Sequence, residues 1–132
     1  MKNKSDKYWS TKLDKFSYKI LREAGTEMPF SGEYNMHFEN GFYKCKACGN
    51  KLFESNSKFD SGCGWPSFDK AIEGSIEYRD DHSLQRKRIE IVCSKCEGHL
   101  GHVFNDGPTE TGMRYCVNSA SLNFKKNNNG KL

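Results

Sequence analysis

Apolar residues recur along this chain with two different periods. Near the N-terminus, Leu13, Phe16, Ile20 and Leu21 fall three and four apart, the spacing of one helical face. That spacing predicts one broken helix or two short ones over residues 11–24, with Ser10 or Thr11 as N-cap and Gly25 at the C-terminal end. From residue 42 onward the pattern shortens to that of strands. Segments 42–45 and 51–54 flank a tight turn and predict a hairpin. Segments 75–79 and 84–92 predict an antiparallel pair, with Ile89 and Ile91 alternating with Arg88, Glu90 and Val92 in a half-buried pattern. Further strands are expected over 99–104, 113–118 and 121–124, with Asp106-Gly107-Pro108 as a turn. Residues 26–40 and 55–74, with their Pro, Gly and scattered aromatics, are expected to be irregular. The ends, 1–10 and 125–132, are polar and expected to be flexible, which leaves a single domain over 11–124.

Composition changes this picture in one respect. A chain of 132 residues can build one core. Its hydrophobic fraction of 35% is low and its twelve glycines are many, so a staple is expected; six cysteines are available to make one. No apolar run has the length of a membrane helix, and the basic N-terminus has no apolar segment behind it. A cytoplasmic location is therefore expected, with no membrane partner. There thiols stay reduced, and metal ligation or catalysis is the default use of cysteine. The formal charge of +4 is carried by the ends. Residues 1–25 hold seven basic and three acidic side chains, 117–132 hold three basic and none acidic, and 26–116 hold eleven basic and fourteen acidic. A slightly acidic centre argues against a nucleic-acid partner, which wants a basic stripe on the folded face.

Four of the cysteines form a pattern. Cys45-x-x-Cys48 and Cys93-x-x-Cys96 each end a predicted strand, with glycine within the next two residues. Two intervening residues let one tight turn aim both sulfurs at one metal ion, and two such turns make the closed tetrahedral site of structural zinc. One Zn2+ per chain is expected, held by Cys45, Cys48, Cys93 and Cys96. The 44 residues between Cys48 and Cys93 exceed ordinary zinc-finger spacing, so the fold must bring the two tips together. The competing reading is two dithiol redox pairs.

Cys63 and Cys116 remain. Free cysteines pack as small hydrophobes, so both could be structural. The neighbours of Cys116 favour chemistry instead: on a strand, Arg114, Cys116 and Asn118 share a face, and a guanidinium beside a thiol favours the nucleophilic thiolate. His99 and His102 are candidate acids. Three apart, they fall on opposite faces of a regular strand, unless a bulge at Gly101 brings both rings to one side. Trp65, between Gly64 and Pro66, is either a loop anchor or an apolar wall for a ligand.

Several stretches then become specific: Gly25-Thr26-Glu27 followed by Pro29-Phe30; Ser61-Gly62-Cys63-Gly64-Trp65-Pro66-Ser67-Phe68; Gly98-His99-Leu100-Gly101-His102-Val103-Phe104; Asp106-Gly107-Pro108; and Thr111-Gly112-Met113-Arg114-Tyr115-Cys116-Val117-Asn118-Ser119. Together with both cysteine tips, they resemble the B-type methionine sulfoxide reductases over nearly the whole chain. Glu97 is a minor departure, at a position where a second glycine is common. The resemblance implies a mainly β fold with two antiparallel sheets around the active site, short N-terminal helices, and zinc opposite the site. It implies Cys116 as nucleophile and Cys63 as resolving cysteine, with Trp65 receiving the methyl group of the sulfoxide. His99, His102, Arg114 and Asn118 would position substrate and water or manage protons. The implied activity is reduction of methionine (R)-sulfoxide in proteins or peptides, with recycling by thioredoxin; a monomer is expected because nothing in the sequence suggests an obligate dimer. The choice of the R epimer comes from the resemblance alone. Two rivals stand beside it: a zinc-ribbon-like nucleic-acid module, and a zinc-anchored β module that binds a ligand at Trp65 without turnover.

Overall fold

The computed structural model describes residues 6–126 apart from residues 24, 36 and 82–87. Residues 84–87 of one expected strand therefore lie outside the described residues, as do 1–5 and 127–132 of the ends expected to be flexible.

Two short helices come first: α1 (Asp6–Lys12) and α2 (Lys15–Glu23). The first begins earlier than the 11–24 pattern predicted, inside the stretch expected to be flexible. Trp9 explains the extension, because its side chain is fully buried in the core. Ser10 and Thr11 are not caps. Their hydroxyls donate back to the Lys7 carbonyl at 3.0 and 2.9 Å, as such residues do inside a helix. The cap belongs to Asp14, whose carboxylate accepts the Ser17 N–H at 3.2 Å at the start of α2. Ser17, Ile20 and Leu21 are the buried face of α2. Gly25 closes the end of that helix, its N–H donating to the Lys19 carbonyl at 3.1 Å.

The strands are β1 (Gly41–Cys45), β2 (Lys51–Glu54), β3 (Lys58–Phe59), β4 (Ser67–Phe68), β5 (Ile76–Asp81), β6 (Arg88–Cys93), β7 (His99–Phe104), β8 (Arg114–Val117) and β9 (Leu122–Lys126). They form two antiparallel sheets. One has the order β2-β1-β9 and the other β3-β4-β8-β7-β6-β5. The expected β1–β2 and β5–β6 pairs are both present. Aromatic rings fill the space between the sheets: Phe53 from the first stacks on Phe68 from the second with centroids 4.2 Å apart, and Tyr43 meets Phe68 edge-on at 5.2 Å. The 125–132 tail expected to be flexible is strand as far as Lys126, because Gly41 and Phe42 of β1 pair with Lys126 and Lys125.

The alternation expected of β6 fails at one end. Ile89 is 38% exposed, whereas Ile91, Val92 and Cys93 are all buried. The strand runs from the rim of its sheet into the junction with the other sheet, so both of its faces become covered. β1 and β6 belong to different sheets, and each ends in one of the two cysteine tips.

Candidate active site and metal centre

Cys116 sits in the interior of the larger sheet, opposite His102 of β7 on one side and Ser67 of β4 on the other. Along β8, Arg114 and Cys116 are half-buried while Tyr115 and Val117 are buried, as strand alternation expects. Gly101 lets β7 come this close, since a Cβ there would collide with the Cys116 carbonyl oxygen. Cys116, Arg114 and Asn118 line a cavity of about 570 Å3, and so do Cys63, Trp65, His99 and His102. All seven non-metal site residues expected from sequence therefore meet at one place.

The sulfurs of Cys63 and Cys116 are 3.4 Å apart. Ser61 donates its hydroxyl to the Cys63 sulfur at 2.9 Å, and the Ser67 hydroxyl lies 3.5 Å from it. The pair shares charge unequally. The hydrogen bond with Cys116 pulls the Cys63 thiol down to about 4, helped by the two serines and opposed by burial. The same hydrogen bond, with burial, pushes Cys116 well above the ordinary thiol range. Arg114 lowers Cys116, as its place on the strand suggested, but less than those two causes raise it. The two thiols are thus coupled through this contact, in which either sulfur can donate.

Arg114 is held by Asp106, which accepts from Nε at 2.8 Å and from Nη2 at 3.1 Å. The guanidinium also lies over the Phe104 ring, 4.5 Å from its centroid. The histidines are brought together by a bulge. Ile91 pairs with Gly101 and Val92 with His99, so β7 carries one extra residue, Leu100. The two imidazole centroids are consequently 5.6 Å apart. Each ring is held by a carboxylate: His99 Nδ1 is 2.7 Å from Glu90, and His102 Nε2 is 2.7 Å from Asp81, which also accepts from Arg88 at 3.2 Å. The hydrogen bond with His99 lowers the Glu90 carboxyl. Burial lowers His102, with Asp81 opposing. His99 Nε2 is buried without a hydrogen-bond partner among the described residues.

Asn118 is committed more to structure than its expected role implies. Its Oδ1 accepts the Glu27 N–H at 3.0 Å and its Nδ2 donates to the Leu100 carbonyl at 3.2 Å. Glu27 stands in one of the motif stretches but had no role assigned to it. Its carboxylate is buried and accepts the backbone N–H groups of Ser119 and Ala120 at 2.8 and 3.0 Å, and its carbonyl accepts the Trp65 indole N–H at 3.0 Å. One residue therefore fixes Trp65, Asn118 and the turn that follows Cys116. Asp81, Arg88, Glu90 and Asp106 were also given no role. The one sequence signal for Glu90 was a charge between two isoleucines on a strand leading to a cysteine tip.

The other four cysteines gather at the junction of the sheets, with all their sulfurs within 4.8 Å of one another. Cys45 and Cys96 are 3.7 Å apart, and Cys48 and Cys93 are 3.5 Å apart. Four sulfurs about 2.3 Å from a tetrahedral ion would be about 3.8 Å from one another, so this group could hold a metal ion and is compatible with structural zinc. The two tips are built alike: the Gly49 N–H bonds to the Cys45 carbonyl and the Glu97 N–H to the Cys93 carbonyl, each at 2.8 Å. Both residues adopt positive φ, 82° and 64°. Backbone and side-chain N–H groups face the sulfurs, from Gly98 to Cys96 and from Asn50 to Cys93. Arg22 of α2 donates to the Cys96 carbonyl at 2.8 Å, tying the helix to this corner. None of the four cysteines lines the cavity.

The chain also matches known proteins. Residues 13–126 match the SelR domain model. The chain is 53% identical to the peptide methionine sulfoxide reductase MsrB of Bradyrhizobium diazoefficiens, covering 92% of this chain and 88% of that one. It is 53% identical to the MsrB of Leptospira interrogans, covering 94% and 95%, and 51% identical to that of Methanosarcina barkeri, covering 97% and 91%. Among solved structures, a Mis18 "Yippee-like" domain shares the fold with a TM-score of 0.54 and 20% identity, over 67% of this chain and 97% of that one. With a family match over most of its length and relatives aligned over nearly all of theirs, the chain belongs to the SelR family of B-type methionine sulfoxide reductases.

Proposed function

We propose that this protein reduces methionine (R)-sulfoxide in peptides and proteins to methionine, with Cys116 as nucleophile and Cys63 as resolving thiol. The observation that carries this reading is the 3.4 Å contact between the two sulfurs inside a cavity that also holds two histidines and an arginine. Family membership supports the reaction itself.

Cys116 sulfur attacks the sulfoxide sulfur as its own proton passes to Cys63, whose sulfur is 3.4 Å away. The sulfoxide oxygen takes a proton from a histidine, directly or through water, and moves to Cys116. Methionine leaves, and Cys116 is a sulfenic acid, the reversible rung of thiol oxidation. Cys63 then attacks that sulfur, water departs, and a Cys63–Cys116 disulfide forms. The sulfurs close from 3.4 Å to a bond of about 2.0 Å, a short movement for two side chains already in contact. An external dithiol protein, which we take to be thioredoxin, returns the disulfide to two thiols. Trp65 supplies the apolar wall for the methyl group, and Arg114, fixed by Asp106, opposes charge that builds on Cys116.

The four-cysteine group is assigned to one Zn2+, held by Cys45, Cys48, Cys93 and Cys96. Four thiolates leave no open position, so its contribution is to hold the two sheets together. We take the protein to act as a monomer in the cytoplasm, where thiols stay reduced. We take 11–124 as the catalytic domain, with its flanking helix running from Asp6 and its last strand to Lys126.

The experiment is turnover of a short peptide carrying methionine sulfoxide, the R and S epimers supplied separately, with dithiothreitol as reductant. Reduction of the R epimer alone is expected. Reduction of neither by fully reduced protein would defeat the reading.

A further inference from the structure

Cys63 sits in a loop bent back on itself. Gly62 and Gly64, on either side of it, take positive φ, 76° and 95°. The bend brings the hydroxyl oxygens of Ser61 and Ser67 to within 2.7 Å, although the residues are six apart. Ser67 is the Cα partner of Cys116 where β4 pairs with β8, so their side chains are neighbours on one face of the sheet. The Cys63 sulfur rests against both, 3.5 Å from the Ser67 hydroxyl and 3.4 Å from the Cys116 sulfur.

Ser61 makes the closer contact. Its hydroxyl donates to the Cys63 sulfur at 2.9 Å, and its oxygen accepts the Cys63 N–H at 3.3 Å. A serine kept only to shape the loop needs the second bond and not the first. Hydroxyl hydrogens rotate, so the group serves Cys63 in either protonation state. As a thiol, Cys63 donates to the Trp65 carbonyl at 3.6 Å. As a thiolate, it accepts from Ser61. Ser67, which bonds to the same carbonyl at 3.1 Å, can then turn its hydrogen to Ser61 or to sulfur. Cys116 lowers the Cys63 thiol most; burial opposes it, and Ser61 and Ser67 each lower it further. The other charged or titratable groups around Cys63 are Arg114 of β8 and His99 and His102 of β7, which line the same cavity.

Hydrogen bonds to an ionised acceptor are stronger than those to a neutral one, and a thiolate gains more from these donors than a disulfide sulfur does. Hydroxyls aimed at Cys63 therefore favour the dithiol over the Cys63–Cys116 disulfide. We propose that Ser61 and Ser67 form a hydroxyl relay that sets the poise of this disulfide, holding Cys63 ready to resolve the Cys116 sulfenic acid and keeping the product easy to reduce. The proposal rests on the catalytic reading above and adds two residues to its second half. In resolution, the Cys63 thiolate attacks the Cys116 sulfur. The S–S bond forms, the S–O bond breaks, and hydroxide takes a proton and leaves as water. In recycling, an external dithiol is oxidised to its own disulfide and returns two electrons to the pair. The bonds that the relay loses in the first step it regains in the second.

The test uses the full chain as wild type, Ser61→Ala, Ser61→Thr and Ser67→Ala. Each is equilibrated at neutral pH with mixtures of reduced and oxidised dithiothreitol, and the Cys63 and Cys116 thiols are read by alkylation and peptide mapping. Ser61→Ala is expected to lower the equilibrium constant for reduction about tenfold, a potential about 30 mV more negative. In the same variant, the rising limb of disulfide formation after mixing with an R-sulfoxide peptide should move up the pH scale. Ser61→Thr, which keeps the hydroxyl, should restore both, and Ser67→Ala should give a smaller shift in the same direction. An unchanged potential and limb in Ser61→Ala overturn the proposal. Equal losses in Ser61→Thr overturn it in favour of loop shape, and wild-type behaviour of Ser67→Ala overturns the relay. A wild type that forms no Cys63–Cys116 disulfide would instead defeat the catalytic reading.

Discussion

The molecule holds two groups of close-packed sulfurs, and distance does not tell them apart. Cys63 and Cys116 are 3.4 Å apart, and the pairs at the sheet junction are 3.5 and 3.7 Å apart. Surroundings separate them. At the junction, two backbone turns of like construction face each other, Gly98 and Asn50 N–H groups point at sulfur, and the four sulfurs meet in one group. At the cavity, one sulfur is surrounded by serine hydroxyls and the other by an arginine and two carboxylate-held histidines, and the space between them opens to a ligand. Equivalence of the sulfurs suits a metal, and inequality between two sulfurs suits a reaction in steps.

The largest expected difference is in stability. Removing the metal with a chelator, or replacing Cys96 with Ser, should unfold the protein or lower its melting temperature by more than about 10 °C, since structural zinc commonly contributes about 10 kcal/mol of folding free energy. A metal-free protein with an unchanged melt would end the assignment of the junction cysteines. Cys116→Ser should leave the melt nearly intact and reduce turnover by at least about 10³-fold. Retained turnover would move the nucleophile elsewhere.

Cys63→Ser sharpens the contrast within the pair. Single turnover with R-sulfoxide should survive, while recycling by thioredoxin slows or stops. It also removes the group 3.4 Å away that takes the Cys116 proton. Cys116 must then ionise by itself, and the rising limb of the single-turnover rate should move up the pH scale. A limb that stays in place, followed by stopped-flow across pH 5 to about 10, would show that Cys63 does not hold the proton balance.

The smallest effect is at the tips. Gly49 and Glu97 take the same left-handed backbone, which costs a side-chain-bearing residue about 1–2 kcal/mol. Glu97 also lies 3.5 Å from Arg79, but both groups are partly exposed and the pair contributes little. Glu97→Gly should therefore stabilise the protein by about 1 kcal/mol, a few degrees in the melt. A lower melting temperature would mean that Glu97 holds more than its backbone position.

Much of this was legible in the sequence because it depends on local pattern. The paired cysteine tips, the β1–β2 hairpin and the shared face of Arg114 and Cys116 follow from spacing of two or three residues. The motif resemblance brought Cys63, Trp65 and the histidines to the same site. What was not legible depends on tertiary contact. Trp9 makes helix out of a polar N-terminus because the core reaches out to it. The exposure of Ile89 depends on where β6 leaves the junction. Glu27 reads as an ordinary loop acid, and its four hydrogen-bonding roles exist only once residues 26–30, 65 and 118–120 are side by side. The charge balance of the two thiols could not be read from Arg114 alone, because the neighbour that decides it lies 53 residues away.

The sulfur junction has a consequence for the order of assembly. Half of its ligands come from each sheet, with 44 residues between Cys48 and Cys93. Each half can form early from its own hairpin, but closing the long loop between them costs about 3 kcal/mol of chain entropy. The complete ligand set therefore exists only after the sheets have met. Metal capture by this group would then be a late event in folding and would act as a latch: it would record that both halves have arrived and make their separation slow.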